Sequence, residues 1–147
     1  MKKIKNYIDG KLVEPRSKKY LKNFNPATGK VYSLTPNSGK EDVSLAVRSA
    51  EKAFVVWSAK TKKERFKILM NLVKKIETSF EVLVKAESVD TGKPEWLTRS
   101  VDIPRCSENI SFFATASLHF DSKIHEMDGG AINYTLKEPI GVVGVIS

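Results

Sequence analysis

The last segment of the sequence, Ile140–Ser147 (IGVVGVIS), constrains the fold more than any other part of the chain. It is an almost unbroken apolar run with glycines at Gly141 and Gly144, a pattern typical of a strand buried on both faces of a parallel sheet. Such a strand requires neighbouring strands along its edges and helices on its faces. The segment therefore predicts an α/β fold in which this strand is one member of a larger sheet.

The composition is that of a globular protein, because 41% of the 147 residues are hydrophobic and 29% are charged. No apolar stretch approaches the roughly 20 residues of a membrane-spanning helix. Asp9-Gly10 follows the basic start at the point where a secretory signal would have its apolar core. We therefore predict a cytoplasmic protein with no membrane partner.

The formal net charge of +8 raises the alternative of a nucleic-acid-binding protein. Residues 1–75 carry 19 basic and 6 acidic side chains, whereas residues 76–147 carry 6 and 11. The excess is mostly lysine, and it is spread over the polar faces of two predicted helices without an arginine and aromatic cluster. We therefore predict solvated helix faces and no nucleic-acid partner; the alternative predicts affinity that falls steeply with salt.

The single cysteine, Cys106, excludes an internal disulfide and has no nearby His or Cys at metal-ligand spacing. We predict that it is a buried and inert thiol. The alternative, a nucleophilic thiolate, requires a base or a helix N-terminus that lowers its pKa. His119 and His125 are distant in the chain and cannot be assigned that role from sequence.

Short antiparallel strands are predicted at the start of the chain. Tyr7-Ile8 and Lys11–Val13 flank Asp9-Gly10, a pair that tolerates the positive φ of a type I′ hairpin turn. Tyr20–Phe24 and Val31–Leu34 form a second predicted pair, connected through the turn-forming sequence NPATGK.

Two amphipathic helices follow the strands. Apolar residues recur at helical intervals over residues 40–57, and Ser38 with Glu41 has the spacing of a capping box. Thr61 and Glu64 repeat this spacing before a second helix, which has an apolar face on one side and lysines on the other.

A third helix is predicted over Phe80–Asp90, with Gly92 just past its end. The helical pattern resumes over Glu95–Phe120 but contains Pro104, which lacks a backbone donor and crowds the carbonyl four residues earlier. We therefore predict a kink or a break near Ile103.

Six segments along the chain have a distinctive order and spacing: YIDGKLVEP, NFNPATGKVYSL, AFVVWSA, KKERFKILMNLVKKI, ESVDTGKP and YTLKEPIGVVGVIS. Together they resemble the start of aldehyde dehydrogenases, and the resemblance covers essentially the whole chain. The segment SVDIPRCSENISFFATASLHF further resembles the branch of that family that acts on 2-aminomuconate and 2-hydroxymuconate semialdehydes.

The resemblance implies an α/β fold, specifically the N-terminal part of a Rossmann-like cofactor domain. Residues 1–147 would be an incomplete NAD(P)-binding domain with short antiparallel strands, helices, an oligomerisation strand and the first parallel strand. The half-exposed strand predicted over Ile132–Lys137 would belong to an oligomerisation arm at residues 131–138, so the implied assembly is a homo-oligomer. The catalytic domain would lie outside this chain.

The implied reaction is the oxidation of an aldehyde to a carboxylic acid with NAD or NADP. In the family a cysteine thiolate attacks the aldehyde, hydride passes to the cofactor, and a glutamate-activated water hydrolyses the thioester. Cys106 lies in the wrong segment to be that nucleophile, so no catalytic residue is expected here and the chain alone should be inactive. The alternative is a truncated interaction module that docks on full-length aldehyde dehydrogenase subunits.

Arg105, in the DIPR segment, matches the arginine that helps to bind the substrate carboxylate in the muconic semialdehyde branch. A guanidinium pairs with a planar carboxylate through two hydrogen bonds, which lysine cannot do. The alternative is a surface arginine or one that pairs two helices.

The resemblance also implies a cation site and part of a cofactor site. Asn23, Phe24 and Asp90 match positions whose backbone oxygens, together with the Asp90 carboxylate, hold a monovalent cation in many family members, and hard cations prefer such oxygen ligands. The alternative is that Asp90 ends a helix and binds only water. Ile146 and Ser147 match the strand end that borders the adenine ribose of the dinucleotide.

Overall fold

The structure is a computed structural model, and it describes residues 1–146. Its helices in chain order are α1 (Lys40–Ser58), α2 (Lys62–Thr78), α3 (Phe80–Thr91), α4 (Glu95–Leu97) and α5 (Ile103–Leu118). Its strands are β1 (Lys2–Lys3), β2 (Asn6–Ile8), β3 (Lys11–Val13), β4 (Tyr20–Phe24), β5 (Val31–Pro36), β6 (Ile124–Glu126) and β7 (Ile132–Tyr134). The predicted mixed α/β architecture is confirmed.

Both predicted pairs of N-terminal strands form. The β2–β3 hairpin turns at Asp9 and Gly10, which have φ of 53° and 73°, as a type I′ turn requires. Strand β4 pairs antiparallel with β5, and β1 adds to the other edge of β5 in parallel. The sequence did not predict β1, because two residues are too few to produce an alternating pattern.

Helix α1 begins one residue later than the predicted capping box would place it. The backbone N–H of Gly39 donates to Asp42 Oδ2 at 3.0 Å, and the N–H of Arg16 donates to Asp42 Oδ1 at 3.0 Å. The box predicted at Ser38 and Glu41 is therefore wrong. The buried carboxylate that anchors the helix belongs to Asp42, and it also ties the helix to the segment after β3.

The capping box of α2 is confirmed. The N–H of Glu64 donates to Thr61 Oγ1 at 3.2 Å, and the N–H of Thr61 donates to Glu64 Oε2 at 2.8 Å. Helix α3 ends as predicted at Gly92, whose φ of 75° lies in the left-handed region that glycine favours.

The predicted irregularity near Ile103 is a π-helical segment over Thr98–Asp102. The N–H of Ile103 donates to Thr98 O, five residues back, so the wider turn leads into the first turn of α5, which contains Pro104. Thr98 is fully buried here, and its hydroxyl donates to Val84 O at 3.3 Å. The π turn therefore joins α3 to α5 and accommodates the proline without ending the helical run.

The core lies where α2 packs along α5 with α3 alongside; its buried apolar side chains are Val73, Val84, Ile103 and Ala114. Cys106 is exposed, so the prediction of a buried thiol is wrong. With a rotation of about 100° per residue, Cys106 lies about 60° from Ile103 on α5 and falls at the edge of the buried stripe. Within residues 1–146 no helix is long and apolar enough to cross a bilayer.

The C-terminal part differs from the prediction in both of its strands. The strand predicted over Ile132–Lys137 is shorter, and β7 pairs antiparallel with β6, which was not predicted. Every residue of both strands is exposed. Residues 135–146 form no regular secondary structure, so the buried strand predicted over Ile140–Ser147 has no pairing partner within residues 1–146, and Ser147 itself lies outside the described residues.

Candidate functional site

Three polar side chains meet where the N-terminal sheet contacts the end of α3. Asn23 lies on β4, Tyr32 on β5 and Asp90 in the last turn of α3. Asn23 Nδ2 donates to the Tyr32 hydroxyl at 2.8 Å and to Asp90 Oδ1 at 3.1 Å, and the Tyr32 hydroxyl donates to the same Oδ1. The structure therefore brings together Asn23 and Asp90, which are far apart in sequence.

The hydrogen bonds of this cluster favour an ionised carboxylate. They hold the pKa of Asp90 below its usual value, with the Tyr32 hydroxyl as the main cause and Asn23 as the second. The pKa of Tyr32 is raised, because ionisation would remove the proton donated to Asp90 and because the phenol is partly desolvated. Sequence reasoning missed Tyr32, because no local pattern links β5 to the last turn of α3.

The loop between β4 and β5 closes against the end of α3 at Gly92. A Cβ on this glycine would lie 3.0 Å from Pro26 Cβ and 3.1 Å from the backbone nitrogen of Ala27. Asn25 Oδ1 accepts from the N–H of Ala27 at 2.9 Å and fixes the loop in this position. The close approach keeps Asp90 within reach of β4 and β5.

The oxygen atoms of this cluster limit the kind of cation that it could hold. Asp90 Oδ1 accepts two hydrogen bonds, whereas Asp90 Oδ2 has no protein partner among the described residues. No group of three or more His, Cys, Asp or Glu side chains with metal-binding geometry occurs in the described part of the chain. Phe24, the third residue predicted for this site, follows Asn23 as the last residue of β4. A single carboxylate carries too little charge for a divalent-cation site, so a cation here would be monovalent and would need further oxygen ligands.

Arg105 lies in the first turn of α5, and its side chain is exposed. It forms no ion pair within residues 1–146, in contrast to Arg99, which binds both carboxylate oxygens of Glu81. The guanidinium of Arg105 is therefore available to an external anion. The other predicted binding residues are at the chain end: Ile146 is fully exposed, and Ser147 is outside the described residues.

A family model described as "Aldehyde dehydrogenase family" matches residues 12–147. The chain belongs to the aldehyde dehydrogenase family. Among its relatives, the 2-aminomuconic semialdehyde dehydrogenases of Danio rerio and Homo sapiens are 47% and 42% identical to it over 145 residues. The resemblance to this family and branch is confirmed. Each match covers 98% of this chain, and the chain spans 29% of the length of both relatives.

A solved aldehyde dehydrogenase has the same fold over this region. The NAD+ complex of the enzyme from Bacillus cereus superimposes with a TM-score of 0.88 at 30% identity, and the match covers 95% of this chain and 29% of that one. The strands, helices and hairpin described above are therefore those of an N-terminal part of an aldehyde dehydrogenase fold.

Proposed function

We propose that residues 1–147 are the N-terminal part of the NAD(P)-binding domain of an aldehyde dehydrogenase that oxidises a muconic semialdehyde to a carboxylic acid. The observation that carries this proposal is the identity of 42–47% to two 2-aminomuconic semialdehyde dehydrogenases over 98% of the chain. The NAD+ complex of the Bacillus cereus neighbour supports NAD as the cofactor, and NADP is the alternative. When bound, the cofactor accepts the hydride released from the aldehyde carbon.

In this proposal the nucleophile lies in the catalytic domain, outside these residues, and the chain alone is inactive. Cys106 is exposed, and no side chain is hydrogen-bonded to it in the described structure. The test is the formation of NADH from a muconic semialdehyde by this polypeptide and by a longer product of the same gene. We expect turnover only by the longer product, and turnover by residues 1–147 would overturn the assignment.

Arg105 is proposed to bind the carboxylate of the semialdehyde substrate. The support is its exposed, unpaired guanidinium on α5 and the carboxylate that every muconic semialdehyde carries. In the longer enzyme, Arg105→Ala should raise KM for an acidic semialdehyde far more than for a neutral aldehyde.

The matched variant Arg105→Lys keeps the charge but removes the planar fork, so it should recover only part of the lost affinity. An equal change in KM for acidic and neutral aldehydes would remove this role from Arg105.

Two further roles are proposed for the residues singled out above. Asn23, Phe24 and Asp90 hold a monovalent cation, supported by the cluster that joins β4, β5 and α3. Ile146 and Ser147 border the cofactor at the carboxyl end of the strand proposed over Ile140–Ser147. A cytoplasmic location is likewise a prediction from the sequence.

Homo-oligomerisation is proposed to use the arm at residues 131–138. The exposed β6–β7 hairpin is the observation that supports it, because β7 has an open edge that can pair with another chain. The same observation favours the second candidate function, a module that docks on full-length subunits. Size-exclusion chromatography of this chain with the longer product separates the docking module from the proposed dehydrogenase fragment, since only the docking module requires co-elution.

A further inference from the structure

We propose that Tyr32 sets the affinity of the Asp90 site for a monovalent cation by competing for the same carboxylate oxygen. The inference rests on the cation site proposed above and adds a residue to it. The Tyr32 hydroxyl donates a hydrogen bond to Asp90 Oδ1, where a cation would otherwise bind.

The geometry of the cluster makes this competition direct. A carboxylate oxygen offers about two lone-pair positions, and Oδ1 uses both, for the Tyr32 hydroxyl and for Asn23 Nδ2 at 3.1 Å. Asn23 Nδ2 also donates to the Tyr32 hydroxyl oxygen at 2.8 Å. The three groups thus form a closed triangle that neutralises part of the charge on Asp90 without any cation.

A cation that uses Oδ1 must displace the phenol proton, which requires the Tyr32 hydroxyl to turn away from Asp90. A cation that uses Oδ2 alone meets a carboxylate whose negative charge is already shared with two donors. In both cases binding is weaker than at a free carboxylate. Tyr32→Phe removes the competing proton and keeps the ring, so it should strengthen cation binding.

Thermal unfolding of the purified chain tests this proposal. The unfolding midpoint is measured while potassium chloride replaces choline chloride at constant ionic strength, since choline is too large for such a site. Because Tyr32→Phe removes a hydrogen bond to a charged group, it should reach half of its potassium-dependent stabilisation at a concentration about 10 to 100 times lower than wild type. In choline alone, its midpoint should be lower than that of wild type.

Two controls accompany the measurement. Tyr7→Phe changes an exposed tyrosine on the β2–β3 hairpin and should leave the midpoint and the potassium response unchanged. Adding Asp90→Asn to Tyr32→Phe removes the carboxylate and should abolish the potassium response. If Tyr32→Phe does not fold, potassium should still shift the Cζ resonance of Tyr32 in wild-type protein with carbon-labelled tyrosine.

The possible failures are distinguishable. Equal potassium dependence in wild type and Tyr32→Phe would overturn the role of Tyr32 and leave the cation site intact. No potassium response in either protein would overturn the cation site itself, while the proposed aldehyde oxidation is tested separately by NADH formation. An unchanged midpoint of Tyr32→Phe in choline would show that the triangle does not hold Asp90.

Discussion

Residues 1–118 bury part of their apolar side chains, whereas residues 119–146 bury none. In the first region Val84 and Ala114 are completely buried between helices, whereas in the second Ile140 and Ile146 are completely exposed. The two regions have a similar fraction of apolar residues, so composition does not explain the difference in burial. Part of the apolar surface of the first region is covered within the chain, and that of the second region is not.

The two hairpins show the same contrast at smaller scale. The β2–β3 hairpin packs against α1, whereas β6–β7 is exposed on both faces. At the base of β6–β7, Lys137 Nζ lies 3.3 Å from the centre of the Phe120 ring and donates to Asp121 O at 2.7 Å. Turn chemistry and a few local contacts thus define a hairpin, but an isolated hairpin is marginally stable without a face to cover.

The largest expected effect compares the same substitution in the two regions. Ile103→Ala removes a side chain that is 8% exposed in the core, and it should lower the free energy of unfolding by about 2–5 kcal/mol. Ile140→Ala removes a fully exposed side chain of the same kind, and it should change that free energy by less than about 0.5 kcal/mol. Urea unfolding monitored by circular dichroism measures both.

Similar losses from the two variants would contradict the comparison, because they would mean that the tail is buried against the rest of the chain in solution. A large loss from Ile140→Ala only in the longer enzyme would instead support the proposed sheet around Ile140–Ser147.

A smaller effect separates backbone strain from close packing. Gly92→Ala places a Cβ at φ +75° against Pro26 and Ala27, whereas Gly129→Ala has a similar φ of +88° and no atom within 4 Å. The left-handed conformation costs about 1–2 kcal/mol, and only Gly92→Ala adds a steric clash to it. We expect Gly92→Ala to lower the thermal midpoint clearly and Gly129→Ala to affect only the hairpin.

Hydrogen exchange of the β6–β7 amides alongside the thermal midpoint distinguishes these outcomes. If Gly129→Ala lowers the global midpoint as much as Gly92→Ala does, the hairpin is part of the cooperative unit and the division between the two regions is incorrect.

Local signals in the sequence predicted the helices well. Thr61 with Glu64 fixed the start of α2, Gly92 the end of α3 and Pro104 the irregularity before α5, because each acts through backbone atoms only a few residues away. The capping box before α1 was displaced by one residue, since the burial of Asp42 depends on its hydrogen bond to Arg16, which is distant in sequence.

The candidate site was predictable only in part. Asn23 and Asp90 followed from the family resemblance, but Tyr32 completes the cluster through contacts between three elements that no local pattern reveals. Strand β6 was missed because β6–β7 has no buried face that would impose an alternating pattern. The strand predicted over Ile140–Ser147 came from its apolar composition, and residues 140–146 form no strand because no pairing partner lies within residues 1–146.

The smallest expected effect concerns acid. Backbone N–H groups of Gly39 and Arg16 hold the pKa of Asp42 below its ordinary value of 3.8. Because the folded-state pKa is the lower one, the stabilisation by ionised Asp42 is complete above the unfolded-state value and is lost as the pH falls through the folded-state pKa. Wild type should therefore be more stable than Asp42→Asn at neutral pH, and the difference should shrink only below about pH 4. Thermal midpoints measured from neutral to acidic pH test this difference. Asp128→Asn, in the exposed β6–β7 turn, is the matched control and should show no such difference from wild type. A pH-independent gap between wild type and Asp42→Asn would mean that the shape of the Asp42 side chain, and not its charge, anchors α1.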